Sequence, residues 1–211
     1  MKRMFTAISL SLITTLSFSQ NDVNLTPLDP WMGYMNVFDL PADGGGYQFG
    51  SPWGVDALQT VIDSAGGTLT LQPNFNTYAD NPTDGYWVNQ TTMEGNKAME
   101  AITFVEPGPT YNDNDLNFHG EVVSNTIDAS QYVVRCFIKA LDSTNGWQDA
   151  LNGSKFVDMP ASGTFSVSAT AAELPSGLVI QYGFVVVGRN GNPAEEAQLG
   201  SVVVGPEYGQ N

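Results

Sequence analysis

Tyr86 and Trp87, followed by Asn89 and Gln90, place two aromatic rings and two amides within five residues of chain. Flat apolar rings suit the C–H faces of a pyranose, and amides at the edge suit its hydroxyl groups. Aromatic side chains combine a large contact area with a polar handle, so they serve such surfaces well. Trp53, beside a glycine, and Trp147, in a polar stretch, are further platform candidates. Trp53, Tyr86, Trp87, Asn89 and Trp147 are therefore the candidate carbohydrate-binding residues. The competing account is that the tryptophans staple long loops to a core, because large aromatics are highly buried on average.

Two loop segments are rich in oxygen donors: Asp80 with Asp84, and Asn112-Asp113-Asn114-Asp115. Calcium takes six to eight such oxygens. Asp80, Asp84, Asp113 and Asp115 are thus the candidate metal ligands, and structural calcium is the cofactor they could hold. No EF-hand pattern is present, and Asx-rich loops also arise because Asn and Asp make turns. Catalytic chemistry has less to work with. Glu94, Glu100 and Glu106 recur every six residues, about 20 Å apart along one strand at ~3.3 Å per residue. Glycoside hydrolysis needs two carboxyl groups ~5–9.5 Å apart. His119 is the sole histidine and no G-x-S-x-G elbow accompanies it. Gly44-Gly45-Gly46 lacks the lysine and following helix of a phosphate loop. No catalytic residue is assigned, and the chain reads as a non-enzyme.

The ends and the composition set the compartment. Met1–Ser19 carries Lys2 and Arg3, then an apolar run broken only by Ser and Thr. Basic, apolar and small-residue regions in that order are a secretory signal, cut before Gln20. The run is too short to span a hydrocarbon core of ~30 Å, so membrane insertion is not expected. Cys136 is the only cysteine, which excludes a lipid-modified cysteine at the cleavage point and any internal disulfide. Removing Lys2 and Arg3 with the leader takes the formal charge from −15 to −17. Such a surface repels phosphate backbones and anionic membranes. Nucleic acid is excluded as a partner, and a neutral or cationic polysaccharide is favoured.

The elements that must position these residues are strands. Gln131–Leu141 puts Tyr132, Val134, Cys136, Ile138 and Ala140 on one face, and Val133, Arg135, Phe137, Lys139 and Leu141 on the other. Side chains alternate across a strand, so this one has a core face and a mixed face near solvent. Cys136 on the core face reads as an inert buried thiol. Gly163–Thr170 and Gly177–Gly188 alternate as cleanly; 98–105 and 117–125 are further strands, and 199–204 closes the sheet. Trp31–Leu40 is a first strand packed on both sides, and Pro41–Pro52, with four glycines and two prolines, reads as loop. Val55–Asp63 carries both helical spacing and a hairpin signal into Thr68–Leu71; we read it as the hairpin. Pro73–Asn89 is a long polar loop. The organisation expected is a leader at 1–19, a lead-in at 20–30, one sandwich domain at 31–205 and a tail at 206–211.

Eight or nine short strands with regular turn signals and little or no helix predict an all-β antiparallel sandwich of jelly-roll type. GNKAMEAITFVE, GEVVSNTIDASQYVVRCFIKALD, SGTFSVSATA, VIQYGFVVVG and LGSVVVG, taken together over Gly95–Gly205, resemble the jelly-roll carbohydrate-binding modules of the galactose-binding-like superfamily. That resemblance implies a secreted, non-catalytic sugar-binding sandwich, often with a structural calcium. The alternative from another class is a structural or adhesive protein of the cell surface or matrix, which self-associates through edge strands or an apolar patch.

Overall fold

A computed structural model describes residues 21–208; the expected leader lies outside the described residues. The strands are β1 (Asn21–Asn24), β2 (Met32–Asp39), β3 (Tyr47–Trp53), β4 (Thr60–Asp63), β5 (Thr68–Leu71), β6 (Lys97–Val105) and β7 (Leu116–Asn125). After them come β8 (Tyr132–Asp142), β9 (Gln148–Asp149), β10 (Lys155–Asp158), β11 (Gly163–Ala169), β12 (Val179–Arg189) and β13 (Val202–Gly205). Helix is confined to α1 (Asn76–Asp80), α2 (Glu196–Leu199) and four single 3₁₀ turns among the described residues.

Two sheets face each other. The first contains the order β11-β7-β13-β5-β4, and the second β10-β8-β12-β6-β2-β3. From β5 to β13 the chain crosses repeatedly between sheets, and strands neighbouring in sequence rarely neighbour in space. Setting β5-β13-β7-β11 against β6-β12-β8-β10 gives the strand order of a jelly roll. The antiparallel all-β sandwich expected from the alternation is the fold observed.

The inner faces meet in one core. Phe118 of β7 sits at its centre, fully buried, with ring centroids 5.8 Å from Phe165, 4.9 Å from Tyr182 and 5.5 Å from Phe184. These four rings come from β7, β11 and β12, so they clasp one sheet to the other. Edge and tilted arrangements at such separations add to area burial. Cys136 is wholly buried on the same face, and burial pushes its thiol up to about 12.

Two expectations are corrected. The lead-in is partly structured: β1 runs parallel to the first half of β7, and Leu25 is buried. Its alternating polar residues lie on an edge, so no apolar period announces it. Pro41–Pro52 is not simply loop, because β3 pairs with β2 from Phe38–Tyr47 to Gly33–Trp53. Pro52 is tolerated because β3 is an edge strand. At Gly50 a Cβ would lie 2.5 Å from Asn36 Oδ1 and 2.9 Å from the Tyr34 ring, so that glycine marks close approach rather than a turn. Residues 147–157 contribute β9 and β10, which share one edge of β8. The hairpin reading of Val55–Asp63 holds, with β4 antiparallel to β5.

Phe118→Ala should cost about 3–5 kcal/mol, the usual range for emptying a large core site, read as a lowered midpoint in chemical denaturation. A second expected outcome concerns pH. Lys155 bonds Glu173 at 2.5 Å, tying β10 to the turn after β11. Hydrogen bonding from Lys155, and then from the Thr170 backbone, holds the Glu173 carboxyl down at about 2. A depressed carboxyl pKa contributes stability above its unfolded value, lost as pH falls through the folded one. Glu173→Gln should therefore remove part of the stability loss measured between pH 4.5 and 2.

Candidate functional site

Strand alternation dictates that side chains between the core positions of the second sheet face away from the sandwich. On β2 these are Tyr34, Asn36 and Phe38; on β6, Glu100, Ile102 and Phe104. On β12 they are Gln181, Val185 and Val187, and on β8 Arg135, Phe137, Lys139 and Leu141. The registers align them in rows: Tyr34, Ile102, Val185 and Arg135 in one, Asn36, Glu100 and Val187 in the next.

This outer face is not an ordinary solvated one. Ile102, Phe104, Phe137 and Val185 form a second apolar cluster, with Tyr34 and Val187 packed against it. Phe137 is fully buried and Phe104 only 8% exposed, although the described residues form no third layer over them. Gly183 stands between Phe104 and Phe137 in their row, and contributes no side chain there. A Cβ on it would lie 2.2 Å from the Thr103 carbonyl oxygen, so close strand approach keeps this position empty.

The result is a groove of about 500 Å³ across β2, β6, β12 and β8. Ile102, Phe104 and Leu141 line its apolar part; Tyr34 and Trp147 add aromatic rings; Asn36, Glu106, Lys139 and Gln181 add polar groups. A second recess of about 370 Å³ shares Tyr34, Phe104 and Glu106 with it, and extends to Trp31, Met32, Pro52 and Trp53. The polar groups are held in place. Asn36 donates to Glu100 at 2.6 Å, and Gln181 donates to Glu106 at 3.1 Å. The indole N–H of Trp147 and the hydroxyl of Tyr34 have no hydrogen-bond partner among the described residues. Lys139 lies 5.0 Å from the Phe137 ring centroid; burial lowers its proton affinity, while Glu100 and Asp149 act to raise it.

The five residues read as a sugar platform fall in different places. Trp147 lines the groove and is 59% exposed. Its φ of +62° is sustained by the Trp147 N–H donating to the Asp142 carbonyl at 2.9 Å. Trp53 lies on the inward side of β3, donates to Ser51 Oγ at 2.8 Å, and lines the second recess. Tyr86, Trp87 and Asn89 line neither. Trp87 is half-buried, packs edge-on against Phe49 and joins the main core. Tyr86 packs edge-on to Trp87 and has the Lys97 ammonium 4.2 Å over its ring. Asn89 Oδ1 accepts from the N–H groups of Thr91 and Thr92, an Asx turn. Buried Asn190 anchors this loop, donating to the Trp87 carbonyl and accepting from the Lys97 N–H.

Tyr34, Asn36, Glu106, Lys139 and Gln181 were not singled out as binding residues from the sequence. Their signal is an apolar pattern on both faces of strands with one sheet to cover them, such as Ile102 and Phe104 opposite Met99 and Ala101.

Three of the four aspartates are engaged in separate hydrogen bonds rather than gathered. Asp113 accepts from the backbone and hydroxyl of Ser176, Asp115 from Ala171 N–H at 2.7 Å, and Asp84 from Tyr86 N–H at 2.8 Å. Asp80 is exposed at the end of α1. Among the described residues no three His, Cys, Asp or Glu side chains are grouped as metal ligands. Asp113→Ala should cost about 1–2 kcal/mol by leaving the Ser176 contacts unmade, whereas a calcium chelator should leave the melting temperature of the parent protein unchanged. Comparison of the chain with protein-family models, with curated proteins and with solved structures found no match.

Proposed function

We propose that this chain is an exported, non-catalytic module that holds a glycan chain in the groove on the outer face of its second sheet. The observation carrying this reading is a groove with an apolar floor flanked by Trp147 and Tyr34, whose N–H and O–H groups bond no other described residue. Sugar rings offer the matching pattern: apolar C–H faces for the floor and rings, hydroxyls for Asn36, Glu106 and Gln181. The jelly-roll strand order supports the resemblance to the galactose-binding-like modules. The positions of Glu100 and Glu106 support binding over hydrolysis, since six residues of one strand separate them, about 20 Å, against the ~5–9.5 Å used by hydrolases. Self-association through sheet edges is the weaker reading. Edge strand β3 carries Pro52, and edge strand β10 carries Lys155 and Asp158, devices that discourage edge pairing.

Single grooves of this kind bind in the μM to mM range, about −4 to −8 kcal/mol. The test is titration of the folded protein against a panel of soluble polysaccharides and their oligomers, with melting temperature followed for each variant. Trp147 supplies its own control. A bulky residue at positive φ is strained, by roughly 1–2 kcal/mol, and glycine relieves that. Trp147→Gly should leave stability equal or raised by about 1 kcal/mol, while affinity falls at least tenfold, ~1.4 kcal/mol. Trp87→Ala should do the reverse, lowering the melting temperature and leaving affinity intact. A folded parent protein that binds no glycan sinks the proposal.

A further inference from the structure

The described residues contain five Lys and Arg side chains, and four of them are ion-paired. Lys97 meets Asp39 at 3.0 Å, Arg135 meets Asp158 at 2.6 Å, Lys155 meets Glu173 at 2.5 Å and Arg189 meets Glu94 at 2.9 Å. Lys139 alone among them has no carboxylate within ion-pair distance. In a chain with 22 acidic residues against 7 basic ones, a cation that feels Glu100 and Asp149 only from beyond ion-pair distance is against expectation. It is also half-buried and lines the groove.

Each acid nearby is committed elsewhere. Glu100 takes the Asn36 amide at 2.6 Å, and Glu106 the Gln181 amide at 3.1 Å. Asp149 accepts from Leu151 N–H at 2.9 Å and from the Ser154 hydroxyl. Gln181, paired with Lys139 in register, stands between the ammonium and Glu106. The groove is therefore polarised, with the Lys139 cation on its β8 side and the Glu106 carboxylate across β12 from it. A half-buried charge is costly unless a counter-charge meets it. We infer that Lys139 is an anion subsite of the groove, so that the bound glycan carries an acidic substituent, a uronate carboxylate or a sulfate ester, placed against the Lys139 ammonium.

This rests on the groove being a glycan site, and it revises the preference for neutral or cationic chains drawn from net charge. Net charge acts at long range and is screened over ~8 Å at physiological ionic strength. A contact inside a groove answers to the local field, which at this end is set by Lys139. The Trp147 ring in the same groove would flank such a substituent, with its N–H as a further donor.

The experiment is calorimetric titration at physiological salt with matched pairs. Galacturonate and mannuronate oligomers are each compared with their methyl esters, and a sulfated galactan oligomer with its desulfated form. The parent protein should bind at least one acidic member at least tenfold more tightly than its neutral twin. Lys139→Met should abolish that preference, and Lys139→Arg should keep it, with melting temperatures confirming that both variants fold. Whether the carboxylated or the sulfated pair shows the preference identifies the anion. Neutral members bound as tightly as acidic ones, or a preference that survives Lys139→Met, overturn the anion subsite and leave the glycan groove standing. No binding to any acidic or neutral glycan by folded protein overturns both.

Discussion

The central strands of the second sheet, β8, β12 and β6, carry large apolar side chains on both faces while only one face has a described sheet against it. That constraint shapes the molecule. The inner face is satisfied by the ring cluster around Phe118, which locks β12 to β7 and β11. The outer face must then manage Ile102, Phe104, Phe137 and Val185 without a third layer. It does so with flanking Tyr34, Lys139 and Gln181, whose stems cover apolar area while their polar ends remain at the surface. Gly183 extends the same constraint to the backbone, because the Thr103 carbonyl leaves no room there for a side chain. The groove follows from how tightly the strands pack as much as from the side chains that line it.

Much of the fold was legible because its strongest strands are two-faced in an elementary way. Phe165, Val167 and Ala169 of β11 are buried while the residues between them are exposed, and the inner residues of β8 are buried as their alternation required. What failed did so where a residue had a local meaning that composition could not give. Gly50 and Pro52 are turn residues by type, yet in β3 one gives space to Asn36 and Tyr34 and the other sits on an unpaired edge. β1 was invisible because four mostly polar residues pair along a strand edge.

The candidate site was less legible, and the reason is geometric. Trp147 could be singled out because a tryptophan in a polar loop is conspicuous. Tyr34, Glu106, Lys139 and Gln181 are unremarkable in their own segments, and only the register between β2, β6, β12 and β8 brings them together. Tyr86, Trp87 and Asn89 show the opposite: neighbours in sequence that line neither recess. Adjacency in sequence made them look like a platform, but the loop they share is pinned by Asn190 and by Trp87 packing on Phe49. Proximity along the chain carries little weight in a fold whose contacts are mostly non-local.

The distribution of rigidity across the groove bears on how it would bind. Most of its lining sits on paired strands, where backbone ladders and side-chain bonds such as Asn36 to Glu100 fix each group before a ligand arrives. Preorganisation of that kind reduces the ordering cost of association. Trp147 is the exception, carried by the loop between β8 and β9 in a backbone conformation that a bulky residue rarely adopts. Strained conformations persist only where surrounding structure holds them, and they concentrate at ligand-contacting positions. Here the Asp142 carbonyl closes the turn and Asp142 itself accepts from the Thr144 N–H and hydroxyl, so the strain is held by a loop that packs on little else. A glycine there would fold at least as well. On the proposed reading, the tryptophan there, largely exposed at the end of an apolar groove, serves what its ring touches from outside rather than the fold.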